Sequence, residues 1–243
     1  MELRPSTFMR VRRLRSRAQL SFATSIAFSN SEDGIENLLD DTRRRRAVRD
    51  PKRRFLVVCE GKNSEPAYLR ALARWADIII DVIAAAGTPE VIAKKAIEEA
   101  TSRGVIGRRR AKLLWYERTD EVWAVFDRDE HKYYEEALRL CEQNGIGIGR
   151  SNPCFEVWIV LHFEDFHRPD DRDKVFDHLC NLCPGYEEGK GKKVDFDELL
   201  KNLNAAEERA EAQLAARSNE GSEHNPPSTT FFMLTRSVRR KTK

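Results

Sequence analysis

The sequence predicts an α/β fold: a parallel four-stranded sheet flanked by helices, with a mostly helical C-terminal extension. Three observations carry this. Between residues 55 and 149, short apolar, β-branched runs alternate with helical patterns of roughly ten to fifteen residues, the signature of right-handed βαβ units. Two of the runs stop abruptly at acidic residues, as strands do when they reach the ligand-binding edge of an open sheet. From residue 170 to 217 the pattern is helical, ending in the charged, Ala-rich Glu207–Arg217.

Residues 1–51 show no sustained period and read as a basic, irregular segment, with one short helix around Gly34–Asp41. Phe55–Cys59 is the first strand. Ser64 is placed to cap a helix that carries Glu65 and Pro66 in its first turn and runs on through Tyr68, Leu69, Leu72 and Trp75. Ile78–Ala84 is a second strand. Gly87-Thr-Pro89 turns into a helix over Glu90–Ser102, and a basic connector spans 103–120. Glu121–Phe126 is the third strand and Tyr133–Glu142 a helix closed by Asn144-Gly145. Ile146–Gly149 is a short fourth strand, and Pro153 opens an apolar helix, Cys154–Phe163. Residues 52–166 thus form the core and 167–243 the extension, in which Thr229–Thr235 adds a strand or a closing helix.

The net charge of +3 hides an asymmetry: residues 1–54 carry 14 basic and 7 acidic side chains, the remainder 29 and 33. Arg43–Arg46 and Arg108–Arg110 are basic clusters suited to a polyanion such as nucleic acid, though solvated basic segments look the same. Residues 1–30, rich in Arg and Ser, have the composition of a transit peptide, but read rather as an irregular arm or as the product of a start codon chosen too far upstream. Five cysteines in apolar contexts point to free thiols and a reducing, cytoplasmic setting. Cys180-Asn-Leu-Cys183 has half the spacing of a zinc site, but no second pair exists and the motif sits in a helical apolar pattern. No apolar run is long enough to cross a membrane as a helix.

The chemistry concentrates where the strands end. Val122-Trp-Ala-Val-Phe-Asp127-Arg-Asp129 puts two carboxylates two residues apart, on one face of an extended chain. Phe55-Leu-Val-Val-Cys59 ends in Glu60-Gly61. If these strands are parallel neighbours, three carboxylates meet at one edge, and their mutual repulsion calls for a hard divalent cation, Mg²⁺ or Mn²⁺. Glu65 lies five residues past Glu60, where a helix dipole alone would favour it. Glu156, inside Pro-Cys-Phe-Glu-Val-Trp-Ile-Val, needs a partner: a metal, or an arginine such as Arg150. Asp129 is also placed to cap the next helix. His131 is either a general base or an exposed loop residue, and His162 reads as a core histidine. Lys190, Lys192 and Lys193, in Gly-Lys-Gly-Lys-Lys, are either phosphate contacts or a surface loop.

Together these residues resemble the Toprim fold, whose pattern is a glutamate after the first strand and DxD after the third. More closely, the chain resembles the RloB-like family. The matching stretches are Val57-Val-Cys-Glu-Gly-Lys-Asn-Ser-Glu-Pro-Ala-Tyr68, Trp123-Ala-Val-Phe-Asp-Arg-Asp-Glu130, and Ser151-Asn-Pro-Cys-Phe-Glu-Val-Trp158 with Leu161-His-Phe163. Gly189–Lys193 and Asn225–Thr230 match more weakly. The family is similar in turn to the nuclease half of OLD-type proteins. The resemblance implies metal ligation by Glu60, Asp127 and Asp129, with Glu65 and Glu156 completing a second ion's shell and Ser151 supporting it. It further implies a lysine at the scissile phosphate, with Lys192 the candidate.

The activity expected is divalent-metal-dependent phosphodiester cleavage in antiphage defence (abortive infection). The catalytic set would be Glu60, Asp127, Asp129, Glu156 and Lys192; Arg108, Arg109, Arg110, Lys190 and Lys193 would contact nucleic acid. The resemblance also implies a separately encoded AbiL-type (AAA) ATPase partner, since this chain has no Walker motif. A homo-oligomer is compatible with the sequence. The rivals are a non-catalytic nucleic-acid or effector-binding module, and a small-molecule phosphotransferase or phosphatase using the DxD. The latter would ordinarily place DxD after its first strand, where this chain has Glu60.

Overall fold

The computed structural model describes residues 52–106, 114, 118–128, 133–186 and 194–240. The elements run β1 (Arg54–Cys59), α1 (Ser64–Ala76), β2 (Ile79–Ala84), α2 (Pro89–Ser102), β3 (Glu121–Asp127), α3 (Tyr134–Gln143) and β4 (Gly147–Asn152). There follow α4 (Glu156–Val160), α5 (Arg172–Leu182), α6 (Phe196–Leu199, prolonged by a 3₁₀ turn), α7 (Leu203–Asn219), β5 (Ser228–Thr229) and α8 (Phe231–Arg239). The sheet order is β2-β1-β3-β4-β5. The first four strands are parallel and β5 pairs antiparallel with β4.

β1 lies between β2 and β3, and its five residues from Phe55 to Cys59 are wholly buried. This is why the run is apolar throughout rather than alternating. Its side chains still sort by face. Phe55, Val57 and Cys59 join Trp123 and Val125 in a core with α1 and the C-terminal helices. Leu56 and Val58 join Val122, Ala124 and Phe126 against α2 and α3. The C-terminal helices therefore share the sheet's core.

Tyr68 of α1 is the hub of the larger core, edge-on to Phe155, Trp158, His162, Phe196 and Phe231 at 5.5–6.1 Å. Such geometry contributes about 0.5–1.5 kcal/mol per pair beyond burial. His162 is a core histidine, as expected. Its Nδ1 lies 3.0 Å from the Trp158 carbonyl, which only accepts, so Nδ1 carries the hydrogen. Nε2 then accepts from the Tyr68 hydroxyl at 3.1 Å. Burial pushes the imidazole down to about 4.

The structure corrects several expectations. The sheet has five strands, not four. Thr229–Thr235 contributes both alternatives, because β5 is followed directly by α8. β4 continues beyond Gly149 through Arg150-Ser-Asn152, whose polar side chains are buried and satisfied: Ser151 Oγ bonds Thr229 Oγ1 at 3.0 Å, and Arg150 Nη1 donates to Ser228 Oγ at 3.1 Å. The helix expected over Cys154–Phe163 is regular only over Glu156–Val160. Ser64 is the first residue of α1 rather than its cap, which is Asn63; its hydroxyl faces Tyr186.

Candidate active site

The chain runs from β1 outward to β2, then returns on the other side of β1 to form β3 and β4. Such a reversal of direction opens a crevice at the carboxyl ends of the two strands that flank it, here β1 and β3. Glu60 stands one step past β1. Its N–H donates to the Val125 carbonyl at 3.0 Å, prolonging the ladder. Its Oε2 lies 3.4 Å from the Asp127 backbone N–H, from which it accepts. Parallel pairing thus joins two acids 67 residues apart.

Asp127 is only 9% exposed, at the end of β3. Its carboxyl is held well above the usual carboxylate range. Burial is the main cause, then the negative charge of Glu65; Arg172 pulls the other way, and Glu156 and Glu60 add further repulsion. Four carboxylates from separate segments therefore act on one another here. The Arg172 guanidinium, from the first residue of α5, donates to Asp127 Oδ2 at 2.9 Å.

The turn after β1 shapes the rest. Glu65, 7% exposed in the first turn of α1, accepts the Gly61 N–H at 3.1 Å. A Cβ on residue 61 would lie 1.9 Å from Glu65 Oε2, so the close approach requires glycine. Glu156, at the start of α4, accepts a hydrogen bond from the Tyr186 hydroxyl. That phenol, 1% exposed, also lies 3.0 Å from Ser64 Oγ. Burial and the Glu156 charge push its acidity far out of reach, so it stays a donor. The Cys180 thiol donates to the Tyr186 carbonyl at 2.8 Å. Glu60, Glu65, Asp127, Glu156 and Arg172 line a pocket of about 270 Å³.

The structure brings together four of the expected acids, Glu60, Glu65, Asp127 and Glu156. Asp129, His131, Lys190, Lys192, Lys193 and Arg108–Arg110 lie outside the described residues. Two local expectations are corrected. Ser151 turns its buried hydroxyl to Thr229 rather than to the acids, and its carbonyl accepts from the Arg128 N–H at 2.7 Å. Arg150 binds Ser228 and the Glu223 carbonyl, while Glu156 takes a hydrogen bond from Tyr186. Arg172 and Tyr186 were not legible as site residues: one sits in an ordinary charged helix start, the other just before the lysine-rich segment.

The donor chemistry fits a hard divalent cation, because every candidate ligand is a carboxylate oxygen. Among the described residues, no three carboxylate, imidazole or thiolate groups stand close enough to hold one ion. In this arrangement internal donors meet the carboxylates: the N–H of Gly61 and of Asp127, the hydroxyl of Tyr186 and the guanidinium of Arg172.

A family model described as RloB-like protein matches residues 55–238. The chain belongs to the RloB-like family. No curated protein and no solved structure matches it. The span matched in this RloB-like protein runs from β1 into α8, so the C-terminal helices belong to the family domain along with the sheet. Among the described residues, no helix is long and apolar enough to cross a membrane.

Proposed function

We propose that this RloB-like protein is a divalent-metal-dependent phosphodiesterase of the Toprim type that cuts nucleic acid in antiphage defence, working with an AbiL-type ATPase. The observation that carries the reading is the meeting of Glu60 and Asp127 at the strand reversal, with Glu65 and Glu156 within electrostatic reach. A binding module has no need of four acids at a phosphate site, because without a cation they repel the ligand.

Glu60, Glu65, Asp127, Asp129 and Glu156 would hold one or two Mg²⁺ or Mn²⁺ ions. When bound, the ions supply Lewis-acid stabilisation of the phosphoryl oxygens and lower the pKa of a water. The chain's own residues set the frame. Gly61 and the Asp127 N–H aim Glu65 and Glu60, and Tyr186 orients Glu156. Lys192 would reach the scissile phosphate. Lys190, Lys193 and Arg108–Arg110 would contribute backbone affinity without reading sequence.

The test incubates purified protein with plasmid, single-stranded DNA and tRNA in Mg²⁺ or Mn²⁺, with and without the ATPase, beside an Asp127→Ala/Asp129→Ala double variant. Cleavage by the wild type alone supports the reading. Identical behaviour of both proteins on every substrate, with the ATPase present, removes it. The Arg172–Asp127 ion pair favours a second reading, an effector-binding module whose acids are neutralised from within. Metal-independent binding of nucleic acid without cleavage would select that one.

A further inference from the structure

We infer that Arg172 is a resident counter-cation: its guanidinium takes the place of a divalent ion beside Asp127 and must swing away before that ion binds. This rests on the metal reading above and adds a regulatory element to the same site.

Three observations converge. The Arg172 guanidinium is 2.9 Å from Asp127 Oδ2 and lines the same pocket as Glu60, Glu65 and Glu156. A cation stationed there offsets repulsion among acids that otherwise have little reason to remain ionised together. The two ends of the pair also differ in their surroundings. The Asp127 side chain is 12% exposed and fixed by its strand, whereas the Arg172 side chain is 48% exposed on a helix end, so it can rotate into solvent without moving α5. Finally, Arg172 opens α5, at the positive end of the helix dipole, where a cation is disfavoured. Asp171 caps that end and Asp173 sits in the first turn, as the dipole prefers. The helix dipole gives no reason for an arginine there, whereas the acidic pocket does.

An occupant of this kind weakens metal binding by competition, since ion and guanidinium claim the same carboxylate. It also keeps the metal-free pocket folded. Removing it should therefore tighten metal binding while destabilising the metal-free protein. An arginine that merely braces α5 against β3 would, on removal, leave metal affinity unchanged or weaken it.

The experiment titrates Mn²⁺ calorimetrically into full-length wild type, Arg172→Gln and Arg168→Gln, and records melting temperatures with and without the ion. Arg168→Gln removes an exposed arginine that pairs with Asp170, so it controls for net charge. The expected result is Mn²⁺ binding about tenfold tighter in Arg172→Gln, equal to about 1.4 kcal/mol. Its metal-free melting temperature should fall, and Arg168→Gln should match the wild type. Unchanged or weaker binding in Arg172→Gln overturns the inference and leaves the metal site standing. Equal tightening in Arg168→Gln overturns it in favour of a net-charge effect. No binding to any of the proteins removes the metal reading itself, and this inference with it. Should Arg172→Gln not fold, Arg172→Lys keeps the charge but loses the planar fork. Tightening of about threefold there supports the inference, and none overturns it.

Discussion

Gly61→Ala separates the site from the fold. A Cβ at residue 61 would sit 1.9–2.3 Å from the three terminal atoms of Glu65. Contacts that short cannot persist, and the mobile partner is the end of a flexible side chain, so the carboxylate yields rather than the backbone. Glu65 then loses the Gly61 N–H, a hydrogen bond to a charged group worth roughly 1.5–3 kcal/mol. Replacing glycine where φ is permissive restores about 0.4–1 kcal/mol by restricting the unfolded chain. The net cost is about 1–2 kcal/mol, a fall in melting temperature of roughly 2–8 °C for a domain of this size. The effect on function should be far larger. If Glu65 helps hold a cation, its displacement weakens Mn²⁺ binding at least about tenfold. Calorimetry and thermal melting on one preparation decide the matter. A variant that melts lower yet binds Mn²⁺ like the wild type would refute the role given to Glu65. A variant that fails to fold would refute the claim that the side chain, not the turn, gives way.

Three further outcomes follow from packing. His162 is neutral in the fold, and its folded pKa of about 4 lies below the unfolded value near 6.5. The unfolded chain therefore binds the extra proton first, and stability drops as pH falls from about 6.5 towards 4. From pH 8 to pH 5 this costs about 2 kcal/mol, and His162→Gln should lose that part of the slope in urea titrations; an identical slope in the variant would count against it. Tyr186→Phe removes the hydroxyl shared by Glu156 and Ser64 and should cost roughly 1–2 kcal/mol. A melting temperature unchanged within a degree would show that the hydroxyl contributes nothing. Gly147→Ala places a Cβ 2.4 Å from the rigid Trp123 indole, so roughly 1–3 kcal/mol should be lost in denaturant unfolding. An unmoved midpoint would mean the ring relocates freely.

What could be read from the sequence tracks how local its cause is. Phe55–Cys59 and Val122–Phe126 announce themselves because strands buried on both faces must be apolar throughout, and the polar break at Glu60 and Asp127 marks where burial ends. That break located half of the candidate site. The sequence pattern ends β4 at Gly149 because Arg150, Ser151 and Asn152 look like a loop. Their burial is tolerable through partners more than 70 residues later, the hydroxyls of Ser228 and Thr229 and the carbonyls of Glu223 and His224. The same distance leaves Thr229–Thr235 open between a strand and a closing helix, because the two polar residues of β5 carry no period. Arg172 and Tyr186 reach the acids by tertiary packing alone, one from the start of α5 and the other from the loop after it, both with an ordinary local pattern.

The central claim is that acids from separate strands and helices share a divalent ion at the carboxyl edge of β1 and β3. Its most direct test is the anomalous signal from a crystal of the protein grown with Mn²⁺. A peak is expected about 2.1 Å from carboxylate oxygens of both Glu60 and Asp127, with the Arg172 guanidinium turned out of the pocket. A crystal in which Mn²⁺ binds elsewhere, while Arg172 still holds Asp127, would contradict it.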